Sequence, residues 1–185
     1  MPNEHQPNPH DLFGDSGFIP ISVPLIDQTQ EQYDTTVSPW LGYECAQIFV
    51  PGLSGLLRRV ELNLEVKDIT TVALVTLFAA RGGLPSTHPD DRIGSTEVIS
   101  CLRDGWNSFR FTRNISLSAG RPYALVLATS SACDWRARSC LRSIPDGGLC
   151  QRWDKEPWEP SFPFVCTTFR TYMEPFRSSS FPSFM

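Results

Sequence analysis

The sequence predicts an all-β protein: a single antiparallel β-sandwich, jelly-roll-like in its run of short strands, with an extended N-terminal arm, a long cysteine- and tryptophan-bearing loop and a short C-terminal tail. Three observations carry that expectation. Proline (16 residues) and glycine (12 residues) recur along the 185-residue chain and would interrupt helices wherever they fall. Residues 57–66 alternate, with Val60, Leu62, Leu64 and Val66 on one side and Arg59, Glu61, Asn63 and Glu65 on the other, which is the period of a half-buried strand. Further apolar runs of strand length follow at short intervals, separated by turn residues.

In chain order, residues 1–39 form the arm, polar and proline-rich at first, then "FIPISVPLI" (18–26), whose prolines lack ladder donors and suit only an edge strand. The sandwich is expected over 40–173. "QIFV" (47–50) reads as a strand, "PGLSG" as a turn and 57–66 as the alternating strand; "VALVTLFA" (72–79) is apolar on both faces, as a central strand would be. After the turn-rich "RGGLPSTHPDDRIG" (81–94) come "STEVIS", the alternating "WNSFRF" (106–111) and "SLSAGRPYALVLA" (116–128), which turns at Ala119-Gly120 and places Tyr123, Leu125 and Leu127 on one side. Residues 129–162 show no period and read as a long loop, a length that calls for a staple or a purpose. "FVCTTFRTYM" (164–173) is the last strand, and 174–185 is the tail.

Composition narrows the function. With 41% hydrophobic and 19% charged residues the chain can build one core, and a formal net charge of −4 gives no general attraction to phosphates, so no nucleic-acid partner is expected. Arg58-Arg59, followed by Glu61 and Glu65, reads as a solvated sheet face. No apolar run approaches the ~18 residues that cross a bilayer, so no transmembrane segment of its own is expected, and the N-terminus "MPNEHQPNPHDLFGDSG" lacks a signal-peptide pattern. Six cysteines, with Cys133, Cys140 and Cys150 in the loop-like region, point instead to disulfides and an extracytoplasmic setting, periplasmic or at the cell surface. The pairing expected is Cys133–Cys140, closing a loop around Trp135, and Cys150–Cys166, tying the loop to the final strand, with Cys45 and Cys101 as buried thiols.

Catalytic chemistry is sparse. His5 and His10 lie in the arm and His88 in a proline-flanked loop, which leaves no Ser-His-Asp or Cys-His arrangement. Asp90-Asp91 and the set Asp146, Asp154, Glu156 and Glu159 read as solvated loop charges rather than an acid/base pair, and no enzyme activity is expected. The C-x6-C-x9-C spacing at 133, 140 and 150 lacks zinc knuckles, so no metal site is assigned; calcium on loop oxygens is the one cofactor kept open. "NIS" (114–116) matches a glycosylation acceptor, a common tripeptide.

Two features point to binding. Trp135, Trp153 and Trp158, with Asp134 and Arg152 nearby, offer rings that could stack on sugars, against the plainer reading that they cap the core. Phe176, Phe181, Phe184 and Met185 sit in a tail too short for a core and suit anchors on a partner. The leading expectation is a non-catalytic binding or docking module, an accessory or structural subunit of a larger extracytoplasmic or surface protein assembly. The alternative is a carbohydrate-binding module using the loop tryptophans.

"AQIFVPGLSGLLRRVELNL" (46–64) resembles the opening of a widespread, largely uncharacterised bacterial β-sandwich domain of secreted and surface proteins, whose members begin with an "AQTF.PGLSG.L.RV.L.L"-like pattern. "RGGLP", "GWNSFRF", "SLSAGRPYALVL", the closing "FRTY" (169–172) and the upstream Asp27-Gln28 extend the resemblance over roughly residues 25–173. It implies the β-sandwich fold and a non-catalytic module attached to other surface components.

Overall fold

The computed structural model describes residues 23–39, 42–67, 72–96, 99–100, 102–129, 135–141, 147–154, 156–162 and 165–176. Residues 1–22, Cys101, Cys133, Asp134, Asp146, Phe181, Phe184 and Met185 lie outside the described residues. The chain is nearly all β, in two curled antiparallel sheets packed on each other, as the sequence predicts.

The strands are β1 (Leu25–Gln30), β2 (Thr35–Val37), β3 (Tyr43–Phe49), β4 (Gly55–Val66), β5 (Val72–Arg81), β6 (Leu84–Pro85), β7 (Arg92–Ser95), β8 (Ile99–Ser100), β9 (Gly105–Leu117), β10 (Tyr123–Ala128), β11 (Trp135–Cys140), β12 (Leu149–Trp153), β13 (Glu159–Phe162), β14 (Cys166–Thr167) and β15 (Phe169–Pro175). In the first sheet β1, β15, β4, β11 and β14 neighbour one another in that order, with β2 on β11 and β9 on β4. In the second the order is β13, β12, β3, β10, β5 and β6, with β7 and β8 on β5. The stretch 129–162, read as a loop, contributes β11, β12 and β13. Its strands are short, and β12 and β13 shift register between Leu149 and Cys150, so the period of two extends no further than the few residues of β11.

The alternation of β4 does what its pattern demands: Val60, Leu62 and Leu64 are buried in the central core, and Arg59 and Glu61 face outward. Leu57 also faces that core although its parity is opposite to Val60, because the register shifts between Leu57 and Arg59 against β9, a bulge that resets the alternation. Leu125 and Leu127 of β10 and Val75 and Leu77 of β5 meet these residues from the second sheet. Phe49 of β3 joins the sheets, with its ring 6.1 Å from both Tyr123 and Phe169. Each Leu or Phe so buried contributes roughly 1.5–3 kcal/mol.

The apolar character of both faces of the second sheet has a separate cause. Ala46 and Ile48 of β3 with Ala124 and Val126 of β10 point away from the central core into a second cluster that contains Cys150 and Trp158. A buried polar tie joins the sheets: Gln47 of β3, fully enclosed, accepts hydrogen bonds from the Thr167 backbone N–H (2.7 Å) and hydroxyl (3.1 Å) of β14 and donates to the Ile48 carbonyl (2.8 Å).

The cysteine pairing expected from the sequence is corrected here. Cys140, Cys150 and Cys166 are buried free thiols, and Cys45 is buried as well. Cys150 belongs to the cluster behind the second sheet, whereas Cys166 lies in the central core of the first, opposite Cys140 in the β11–β14 register, so Cys150 and Cys166 are on different sides of a sheet and cannot bridge. Cys140, expected to pair with Cys133, packs instead as a small hydrophobe beside Cys166. Burial pushes the Cys166 thiol far up, with neighbouring Cys140 adding to it, and burial alone pushes Cys150 up to about 11.

The "PGLSG" turn and the upstream Asp27-Gln28 turn out to be one structural unit. Asp27 of β1 accepts a hydrogen bond from the Gly52 backbone N–H (3.3 Å), and burial outweighs these bonds to hold its carboxyl above the usual range. At Gly55 the backbone approaches β15 so closely that an added Cβ would stand 2.2 Å from the Glu174 carbonyl oxygen.

Candidate functional site

The three loop tryptophans have three different fates. Trp135 begins β11 with its ring in the central core, 1% exposed, and its indole N–H reaches the Val72 carbonyl at 3.4 Å. Trp158 is 5% exposed, sealing the cluster behind the second sheet, with the Arg152 guanidinium 4.6 Å above its ring. Trp153 alone of the three is open, at 58% exposed.

Local backbone geometry presents that ring. Trp153 ends β12 opposite Tyr43, the first residue of β3. Asp154 follows in the left-handed region, φ 52°, which Asp tolerates better than most residues, and its N–H donates to the Gly42 carbonyl, closing the ladder. The Glu156 N–H then donates back to the Trp153 carbonyl at 2.9 Å, so a tight turn holds the end of β12. Tyr43 and Trp153 stand with ring centroids 6.2 Å apart and planes tilted by 51°. The Tyr43 hydroxyl donates to the Gln151 side-chain carbonyl, and burial raises the phenol above its ordinary value, with Cys45 adding to it. Arg152 pairs with Glu44 directly across the strands, so its charge is already engaged.

Two cavities flank this aromatic pair and share both rings. The larger, about 530 Å³, lies between the Tyr43–Trp153 pair of the second sheet and Thr36, Val37, Ser38 and Arg136 along β2 and β11 of the first. The smaller, about 230 Å³, adds Gln151, Glu156 and Glu159. Aromatic walls, hydroxyls and a few charged groups around a concave space are what a small polar ligand requires: rings to cover its apolar face and donors and acceptors to fix its orientation.

The other candidates resolve differently. Asp91 of the Asp90-Asp91 pair accepts from the Ser86 hydroxyl and faces Arg81, and the Ser86 bond, with Arg81 and His88 adding, holds its carboxyl below the usual range; the pair organises its own loop. Arg58 is engaged by Glu174 and Asn114, the latter at 3.0 Å, and Arg59 stacks on the Tyr172 ring at 3.8 Å, so both charges of the basic dipeptide are used within the sheet face. Among the described residues no group of three His, Cys, Asp or Glu side chains could hold a metal. Of the tail anchors, Phe176 is described and exposed (54%). It follows β15, near where β1 begins, because Leu25 pairs with Met173, and Val23, Leu25 and Ile26 are likewise exposed there.

Sequence reasoning missed Tyr43 and Arg136. Tyr43 carries no motif, and its partnership with Trp153 comes from strand pairing over 110 positions. Arg136 lies in "WRARSC", where the alternation of β11, buried Trp135 and Ala137 around exposed Arg136, was the available signal. Comparison with known proteins finds no family model that matches the chain and no curated protein that matches it.

Proposed function

We propose that this β-sandwich is a non-catalytic binding module that recognises carbohydrate on the Trp153–Tyr43 ledge. The observation that carries the reading is an open tryptophan, paired with a tyrosine and flanked by two cavities lined by aromatic rings, hydroxyls and charged side chains. A pyranose presents an apolar C–H face and a rim of hydroxyls, and this ledge offers a ring for the first and Thr36, Ser38 and Gln151 for the second. The three-tryptophan platform, the alternative weighed against core packing, reduces to one tryptophan and a tyrosine, with Trp135 and Trp158 buried. An extracytoplasmic setting, expected partly from disulfides, rests on the resemblance to bacterial surface domains alone. A glycan array followed by titration calorimetry tests the reading: Trp153→Ala should weaken binding at least about tenfold, or 1.4 kcal/mol, with its unfolding midpoint unchanged. If the wild type binds no glycan, the reading fails.

A second reading, docking onto a protein assembly, is favoured by the sheet edge at β1. Its outer side is unpaired among the described residues, and Val23, Leu25, Ile26 and Phe176 expose apolar surface at one end of it. The occupant that fits is an extended segment of a neighbouring protein subunit, adding a strand to β1. Light scattering of native material with Ile26→Lys decides it, since a true docking edge would lose its partner to the charge and a free monomeric wild type would refute docking.

A further inference from the structure

The two cavities beside Trp153 differ in charge, and the difference selects a ligand. We propose that the larger cavity is a subsite for an acidic sugar, a hexuronic acid or another carboxylated pyranose, whose carboxylate is held by Arg136 while its ring lies against Trp153 and Tyr43; this rests on the carbohydrate reading above.

Among the described residues, Arg136 is the single charged residue that lines the larger cavity. It is exposed and makes no hydrogen bond or ion pair with a described residue; Glu65, its cross-strand neighbour on β4, forms no ion pair with it. Elsewhere the guanidinium groups near the site are committed: Arg152 to Glu44 and the Trp158 ring, and Arg138 to Asp104 at 2.9 Å and Asn63 at 2.8 Å. A guanidinium left open in a concave site matches a carboxylate in a planar, two-point geometry. Thr36 and Ser38 supply hydroxyls beside it. The volume, about 530 Å³, falls within the roughly 300–1,000 Å³ of small-molecule sites.

The smaller cavity has the opposite bias. Glu156 and Glu159 line it, and its arginine is already neutralised by Glu44. A carboxylated sugar placed there would meet like charge, so the glycan has one orientation, acidic residue towards Arg136 and neutral residue towards Gln151. With a net charge of −4 the protein as a whole repels anions, so this selectivity depends on Arg136 locally.

The test uses the full chain and three probes: a defined hexuronic-acid oligosaccharide, its methyl-esterified form and the corresponding neutral oligosaccharide. Calorimetry on wild type, Arg136→Gln and Trp153→Ala, at low and near-physiological salt, reads the outcome. The acid form is expected to bind wild type at least about tenfold more tightly than the ester, with the margin shrinking as salt rises. Arg136→Gln should erase that margin, bringing the acid form down to the affinity of the ester, and Trp153→Ala should weaken all three probes. Equal affinity of acid and ester for wild type, or a margin that survives Arg136→Gln, overturns the acidic subsite while leaving the carbohydrate reading standing. Failure of wild type to bind any of these probes or any glycan on an array overturns both.

Discussion

Gln47 is the most informative single position in the fold, because it is a polar side chain wholly inside an apolar sandwich and it joins the two sheets. Gln47→Met keeps the length and nearly the volume of the side chain while removing all of its hydrogen bonding. The loss can be worked from the partners. The Thr167 N–H, which now donates to Gln47 at 2.7 Å, is left as a buried donor without its acceptor, and the Thr167 hydroxyl, also fully buried, loses its partner at 3.1 Å. An orphaned buried donor costs about 1–3 kcal/mol, and a hydroxyl that can rotate towards another acceptor costs less. The carbonyl of Gly148 keeps the Ile48 N–H at 2.9 Å, so nothing is added there. The gain from burying an apolar thioether offsets part of this, leaving an expected destabilisation of about 1–3 kcal/mol, a substantial fraction of the stability of a domain this size. Urea unfolding followed by tryptophan fluorescence would measure it, with buried Trp135 as reporter. A midpoint shift equivalent to less than about 0.5 kcal/mol would overturn this account, because it would mean that β14 satisfies its backbone without Gln47.

Two further outcomes follow from the same packing. Gly55→Ala should destabilise by more than about 2 kcal/mol, since its Cβ would meet the β15 backbone, whereas Gly148→Ala, with open space at its Cβ, serves as the near-neutral control in the same urea titration. Cys150, with its thiol pushed up to about 11 by burial, should resist iodoacetamide in the folded protein at pH 8 and react readily in urea; because the folded state holds this proton more tightly, its contribution to stability is complete below the ordinary thiol value near 9 and lost as pH rises towards 11, so the urea midpoint should fall across that window.

The arrangement of the site explains why local sequence carried some of these features and not others. The strand alternation of β4 was legible because a half-buried strand writes its burial into consecutive residues, and the all-β class followed from several such stretches. The "PGLSG" turn was legible for the same reason, being encoded by the conformational limits of proline and glycine. Trp153, one of the candidate residues, was visible as a residue type only; whether a tryptophan packs or projects depends on what lies on either side of its strand. Trp158 is covered because β3, β10 and β12 present a second apolar face, and Trp135 is covered because β11 lies across the central core from β5.

The cysteines show the limit most sharply. Their even number and proximity in sequence suggested bridges, yet Cys150 and Cys166, 16 positions apart, are separated by a sheet, while Cys140 and Cys166, 26 apart, face each other in register. The class of fold, the main strand and its inward face, and the residue types available for binding are written in the chain itself, since they follow from period, backbone propensity and composition. Strand pairing in three dimensions settled which tryptophan is open, that Tyr43 stands beside it, that Arg136 has no carboxylate partner among the described residues and that no bridge joins Cys150 to Cys166. Each of these is set by pairing between strands far apart in the chain, and side-chain period carries information about a strand's own two faces but none about which strand will lie against them.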